Sequence, residues 1–185
     1  MTAESGSGRD TPQEHLRFAA WVQALRQVPD DDELTLVADV LQDPDVAMAQ
    51  SAVLGHLDQR ASTLIQGPDY APWARAMAGA VASRPFLLQR LREWSLLRAI
   101  ALGQPWSPGA LAEASNWLQL KIAESPGTSE AAVVLARAGR TKRIRNTARA
   151  AVTAATRGPE SVTKPLPEPA PGQLRWQSSD PLSAT

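Results

Sequence analysis

The densest run of one chemistry in this sequence is cationic. Arg137, Arg140, Lys142, Arg143, Arg145 and Arg149 fall within thirteen residues that hold no acid. Guanidinium and ammonium groups at that density suit contacts to phosphates or carboxylates, and each neutralised phosphate makes binding more sensitive to salt. Four readings fit: an acidic protein partner, the phosphates of a nucleic acid, pairing with the acidic first third of the same or a second copy, and plain solvation of an exposed helix. In the tail, Leu174, Arg175 and Trp176 form a small apolar and cationic island suited to docking on a partner or back onto the chain.

Other residues able to do chemistry are sparse. His15 and His56 are the two histidines, and His56 stands beside Asp58 near the inward face of a predicted helix. A histidine next to a carboxylate can serve as acid or base. No serine-centred turn, glycine-rich phosphate cradle or second histidine at ligand spacing accompanies it. A packed or surface histidine is therefore expected, and no catalytic residue is assigned. Asp30, Asp31, Asp32 and Glu33 open a helix, where the positive end of the helix dipole favours carboxylates. They lack the alternating ligands, mid-loop glycine and terminal glutamate of a calcium loop, so no metal and no cofactor are expected.

The elements that must hold these residues are helical by composition. Apolar content is carried by Ala, Leu and Val, with two Phe and one Tyr among 185 residues, where strands would show more aromatic and β-branched side chains. Six tryptophans break the small-residue habit; Trp21, Trp73, Trp94, Trp106 and Trp117 are expected to fill gaps between alanine-rich helices. Cysteine is absent, which removes disulfides, thiolate metal sites and a cysteine nucleophile and fits a reducing compartment. The first residues carry no signal-type apolar core, and no run approaches the roughly 20 apolar residues that span a bilayer. A soluble, cytoplasmic protein with no membrane partner is the expectation. Net charge is zero, yet it is unevenly spread: acids alone occupy the stretch between Gln27 and Gln59, and bases alone the stretch between Ala131 and Pro159. Such a dipole admits head-to-tail association of two copies.

Helical spacing then divides the chain. Residues 1–11 are small and polar and predict disorder. Thr11, Pro12 and Glu14 form a capping box, followed by Leu16, Phe18, Trp21, Val22 and Leu25 on one stripe. Leu34, Val37, Ala38 and Leu41 mark a second helix, and Ala49, Ala52, Val53 and Leu57 a third. Further stripes run through Tyr70, Trp73 and Met77, then Leu87, Leu91, Trp94 and Leu97, then Leu111, Ser115, Leu118 and Ile122 as one helix after Ser107 and Pro108. Ala131, Val134, Leu135 and Ala138 precede a stop at Gly139, and Ile144, Ala148, Ala151 and Ala155 set out the last stripe. From Pro159 the prolines predict extended polyproline geometry, most clearly over residues 164–171. The expected organisation is a helical domain over residues 12–157, of about eight helices, and a flexible tail over 158–185.

Two of these units resemble HEAT repeats. In residues 34–57 the likeness lies in an apolar first helix, the turn Asp43-Pro44-Asp45 and a second helix with small residues facing in. In residues 129–152 it lies in Ile144-Arg145 followed by inward Ala148, Ala151 and Val152. The first unit departs from the pattern at Met48-Ala49, where an aliphatic residue and arginine are usual, and residues 68–124 match only as alternating amphipathic helices. The resemblance implies an all-α fold of stacked antiparallel hairpins, a right-handed solenoid or a helical bundle, whose inner face binds another macromolecule. It carries over no catalytic residue. Some HEAT-like folds are DNA glycosylases that hold damaged DNA against tryptophans and an acid, but no residue here matches such a site. The expected role is a non-catalytic interaction module, with nucleic-acid binding as the alternative and a repair enzyme as a remote one.

Overall fold

A computed structural model describes residues 10–125 and 127–157. Within them the chain is all-α, with nine α-helices, one 3-10 turn and no strand. The helices are α1 (Asp10–Gln27), α2 (Glu33–Val40), α3 (Val46–Leu64), α4 (Tyr70–Ala80), α5 (Pro85–Ala101), α6 (Pro108–Glu113), α7 (Asn116–Glu124), α8 (Ser129–Ala138) and α9 (Lys142–Arg157), with the 3-10 turn at Asp30–Asp32. None is long and apolar enough to cross a membrane. Residues 1–9, the proline-rich tail and Trp176 lie outside the described residues, and so do the expectations that rest on them.

Local chemistry sets the breaks. Asp45 accepts the Met48 N–H at 2.9 Å and Ser107 accepts that of Ala110 at 3.3 Å, each satisfying a donor that a helix start leaves open. One break differs from expectation. Residues 108–124 form two helices because Ser115 caps α7 instead of joining an inward stripe: its hydroxyl oxygen accepts from Leu118 N–H at 3.4 Å. Its own N–H and O–H donate to Glu93 at 2.8 and 3.0 Å, so a carboxylate on α5 holds the kink. The split accounts for nine helices in place of eight. At the other end α1 already begins at Asp10, which puts Thr11 inside the helix and not at its cap.

Packing follows chain order. The odd-numbered helices form a row in which α1 touches α3, α3 touches α5, α5 touches α7 and α7 touches α9. The contacts of α2 with α4 and of α6 with α8 make a second layer, and consecutive helices such as α8 and α9 join the two. Apolar burial falls in two clusters. The first holds Leu25, Val37, Val53, Leu57, Met77 and Leu87, and the second Trp94, Leu111, Leu118, Ile122, Leu135 and Ile144. Trp73 and Ala74 pack against both, so α4 is the joint. Each fully buried Leu or Ile contributes about 1.5–3 kcal/mol relative to exposure, which makes the two clusters the main source of stability. Leu16 (71% exposed) and Phe18 (36%) leave the expected inward stripe, because α1 ends the row and only its Leu25 edge is buried against α2 and α3. Leu34, Ala38, Ala138 and Ala155 are likewise exposed.

Candidate macromolecule-binding surface

The six cations predicted as a binding set lie on one hairpin, α8 and α9, whose turn is closed by a buried amide. Gln119 on α7 is fully buried; its amide N–H₂ donates to the carbonyls of Leu111 and Ala112 at 2.9 Å each, and its carbonyl oxygen accepts the Arg140 N–H at 2.9 Å. One side chain thus ties the end of α6 to the α8–α9 turn. Gly139 lets the two helices meet: a Cβ there would lie 2.6 Å from the Leu135 carbonyl oxygen and 2.8 Å from a methyl of Ile144. Its φ of −59° is ordinary, so the glycine is required for space and not for backbone conformation. Thr141 caps α9, its hydroxyl accepting the Ile144 N–H at 3.2 Å.

The cations then separate into two kinds. Arg145 is half-buried and donates to the Gly139 carbonyl at 2.7 Å, and Arg140 reaches the Ala114 carbonyl at 3.4 Å, so both help to close the turn. Arg137, Lys142, Arg143 and Arg149 are exposed. Among the described residues, the acid paired with this group is Glu124, 3.9 Å from Arg143, with both side chains open to solvent. A pair of that kind is worth about 0–1 kcal/mol. Lys142, Arg145 and Arg149, three and four residues apart, run along one stripe of α9. What this surface can do is hold anions. No family profile, curated protein or solved structure matches the chain.

The central acids of the first third are engaged elsewhere, so pairing within the chain does not bring them to these cations. Glu33, expected only to complement a helix dipole, is buried at 3% exposure and is the hub of the first half. It lies 2.6 Å from His56 Nε2, accepts from Arg60 Nε at 3.3 Å, and takes the Trp73 indole N–H at 3.1 Å. Arg60 also reaches Asp30 at 2.8 Å. Burial by itself would raise the Glu33 carboxyl, but the His56 and Trp73 hydrogen bonds and the Arg60 charge outweigh it and hold the group below its ordinary 4.5.

His56 is consequently paired with Glu33, not with the neighbouring Asp58. It lines a cleft of about 270 Å³ between α1 and α3, where the one hydroxyl, that of Ser51, donates to the Ala47 carbonyl at 2.8 Å. A ring nitrogen held by a buried carboxylate, with no free nucleophile beside it, is a strut between α2 and α3. Asp58 instead accepts the Trp94 indole N–H at 2.7 Å, and Asp43 that of Trp21 at 3.0 Å. The Trp21 bond is also the main reason the Asp43 carboxyl sits low, and the Asp45 N–H and Arg17 add to it against the opposing effect of burial. Three tryptophans thus tie helices together through carboxylates as well as filling space. For Gln119 a polar residue between Leu118 and Leu120 was the only cue in the sequence, and Glu93, next to Arg92, gave none.

Proposed function

We propose that the chain is a non-catalytic, cytoplasmic interaction module that presents Arg137, Lys142, Arg143 and Arg149 to an acidic protein surface. The observation that carries this reading is that these four cations lie together on one hairpin, are exposed and, among the described residues, meet a single carboxylate, itself exposed, whereas Arg17, Arg60, Arg84 and Arg98 are tied into the fold. Their place supports it too. Lys142 and Arg143 sit in the first turn of α9, where the helix dipole disfavours cations by about 0.3–1 kcal/mol each, so helix stability gives no reason for them. A tail island at Trp176 would add a second contact. The layered row of helices fits the HEAT-like stacking that the sequence resemblance implies, and HEAT arrays serve as such platforms.

Affinity capture from lysate with the full chain and with an Arg137→Glu, Arg143→Glu, Arg149→Glu variant tests the proposal. Matched circular dichroism ensures that both are folded. Acidic proteins held by the first and lost by the second are expected; identical sets would overturn it. Phosphate contact through the Lys142, Arg145 and Arg149 stripe is the second reading. It requires association with a generic duplex that falls steeply between about 50 and 200 mM salt. The overall neutrality of the chain favours the protein partner.

A further inference from the structure

The end of α5 turns the backbone outward. Gly103 adopts φ 62°, its N–H reaching the Ile100 carbonyl at 3.2 Å while Gln104 N–H reaches that of Ala99 at 2.8 Å. This closes the helix and sends Gln104, Pro105 and Trp106 away from it. Together with Thr128 and Glu130 they line a cleft of about 470 Å³. Trp106 differs from Trp21, Trp73 and Trp94, because among the described residues its indole N–H meets no acceptor. A second hollow of about 350 Å³, walled by Ala123, Ala132, Ala151, Ala154 and Ala155, shares Gly127 and Thr128 with the first. The two adjoin at Gly127 and Thr128; the groove they make is walled by alanines with Glu124 and Ser125 beside α9 and carries Trp106 at its other end. α9 ends at Arg157, two residues beyond Ala155, so the proline-rich tail is tethered at the mouth of that groove.

We infer that the groove is the docking site of the chain's own residues 164–171, bound in cis. Their sequence, Lys-Pro-Leu-Pro-Glu-Pro-Ala-Pro, favours polyproline geometry. Aromatic-lined grooves take up such segments at low entropic expense, with prolines against the ring and an indole N–H donating to a peptide carbonyl. Trp106 offers both the ring and the donor. Leu166 is the apolar side chain that suits the alanine-walled stretch, which leaves the prolines after it for the Trp106 end. Residues 158–163 reach about 20 Å when extended, while the α9 wall from Ala151 to Ala155 is about 6 Å long. The tether therefore reaches along the alanine-walled hollow, and its shortness keeps the effective concentration of the segment in the millimolar range.

Because the chain has no cysteine, an introduced pair reports the contact without ambiguity. Full-length protein carrying Gln104→Cys and Ala170→Cys is oxidised mildly and the rate of closure to a cross-linked monomer is measured. Docking makes closure at least tenfold faster than in a chain that also carries Pro165→Gly, Leu166→Ser and Pro167→Gly. Those changes leave the helical domain untouched and make the tether more flexible, so a slower rate cannot come from lost reach. Adding Trp106→Ala to the cysteine pair lowers the rate likewise. Equal closure with and without the three tail substitutions overturns the inference. Disulfide-linked dimers in place of closed monomers overturn it as well, by assigning the groove to a neighbouring molecule.

Discussion

Between α1 and α5 four arginines are absorbed by the fold, while Arg26, Arg75 and Arg92 stay exposed and scattered over three helices. Arg17 pairs with Asp43 at 3.0 Å, Arg60 bridges Asp30 and Glu33, Arg84 donates to the Leu41 carbonyl at 2.7 Å, and Arg98 donates to the carbonyls of Ile65 and Gly67 at 2.9 and 3.1 Å. In the α8–α9 hairpin, Arg137 and Lys142 have no partner among the described residues, and Arg143 has only a loose one. Clamping arginines occur at both ends, Arg140 and Arg145 among them, but among the described residues only the hairpin gathers several open cations side by side. Buried polar contacts, not residue counts, separate the two: Glu33, Asp43 and Asp58 each gather donors from other helices, whereas the hairpin is closed by Gln119, Gly139, the Arg140 and Arg145 bonds to backbone carbonyls and apolar packing.

The sharpest way to break this contrast is to remove the hub. Glu33→Ala leaves the His56, Arg60 and Trp73 donors without their acceptor in a nearly dry site, a change that costs about 3–5 kcal/mol. Urea denaturation of the full chain measures it. By contrast, Arg137→Glu, Arg143→Glu and Arg149→Glu together should shift stability by no more than about 0.5 kcal/mol each. Comparable losses at both sites would mean that the hairpin cations are structural after all.

A smaller loss is expected where the hairpin has its own tight spot. Gly139→Ala sets a methyl 2.6 Å from the Leu135 carbonyl oxygen, and backbone there must move. About 1–3 kcal/mol is the usual result of such overpacking. The same denaturation series measures it. No loss would show that the α8–α9 approach is looser than its distances.

Acid separates the halves a third way. Glu33 has a folded value below its ordinary 4.5, so the stability it contributes is full above about pH 4.5 and fades as pH falls through the lower folded value. Glu33→Gln removes that titration. Thermal melts of the wild type should therefore fall more steeply with acid below pH 4.5 than those of Glu33→Gln, and parallel profiles would contradict the assigned bonds.

Helix identity was legible in the sequence because periodicity is local: the inward positions of α3, α5 and α9, such as Leu57, Leu91 and Ile144, are buried as spacing predicted. The cationic set was legible for the same reason, being a run of one residue type. What joins helices was not. Trp21 finds Asp43 across 22 positions, Trp94 finds Asp58 across 36 and Trp73 finds Glu33 across 40. No local rule links residues so far apart. Glu33 had a sufficient local explanation in the helix dipole, which hid its burial. Ser115 matched helical spacing, and only Glu93 on another helix turns it into a cap. Leu16 and Phe18 kept the right spacing but lacked a neighbour, since periodicity does not tell an end helix from an inner one.

The smallest expected effect bears most directly on why the hairpin is basic. Lys142 is the first residue of α9, exposed, next to the Thr141 cap, and among the described residues it touches no acid. At that position the dipole favours an anion, so Lys142→Glu should raise stability by about 0.3–1 kcal/mol at low salt, less as salt rises. The same change places a negative charge in the surface proposed to meet an acidic partner and, on that proposal, should weaken capture. Stability and binding then move in opposite directions, which is what a residue retained for contact and not for folding must show. If Lys142→Glu lowers stability instead, the cation is supporting the helix through some neighbour. The distinction between clamping and open arginines would then fail at the end where it matters.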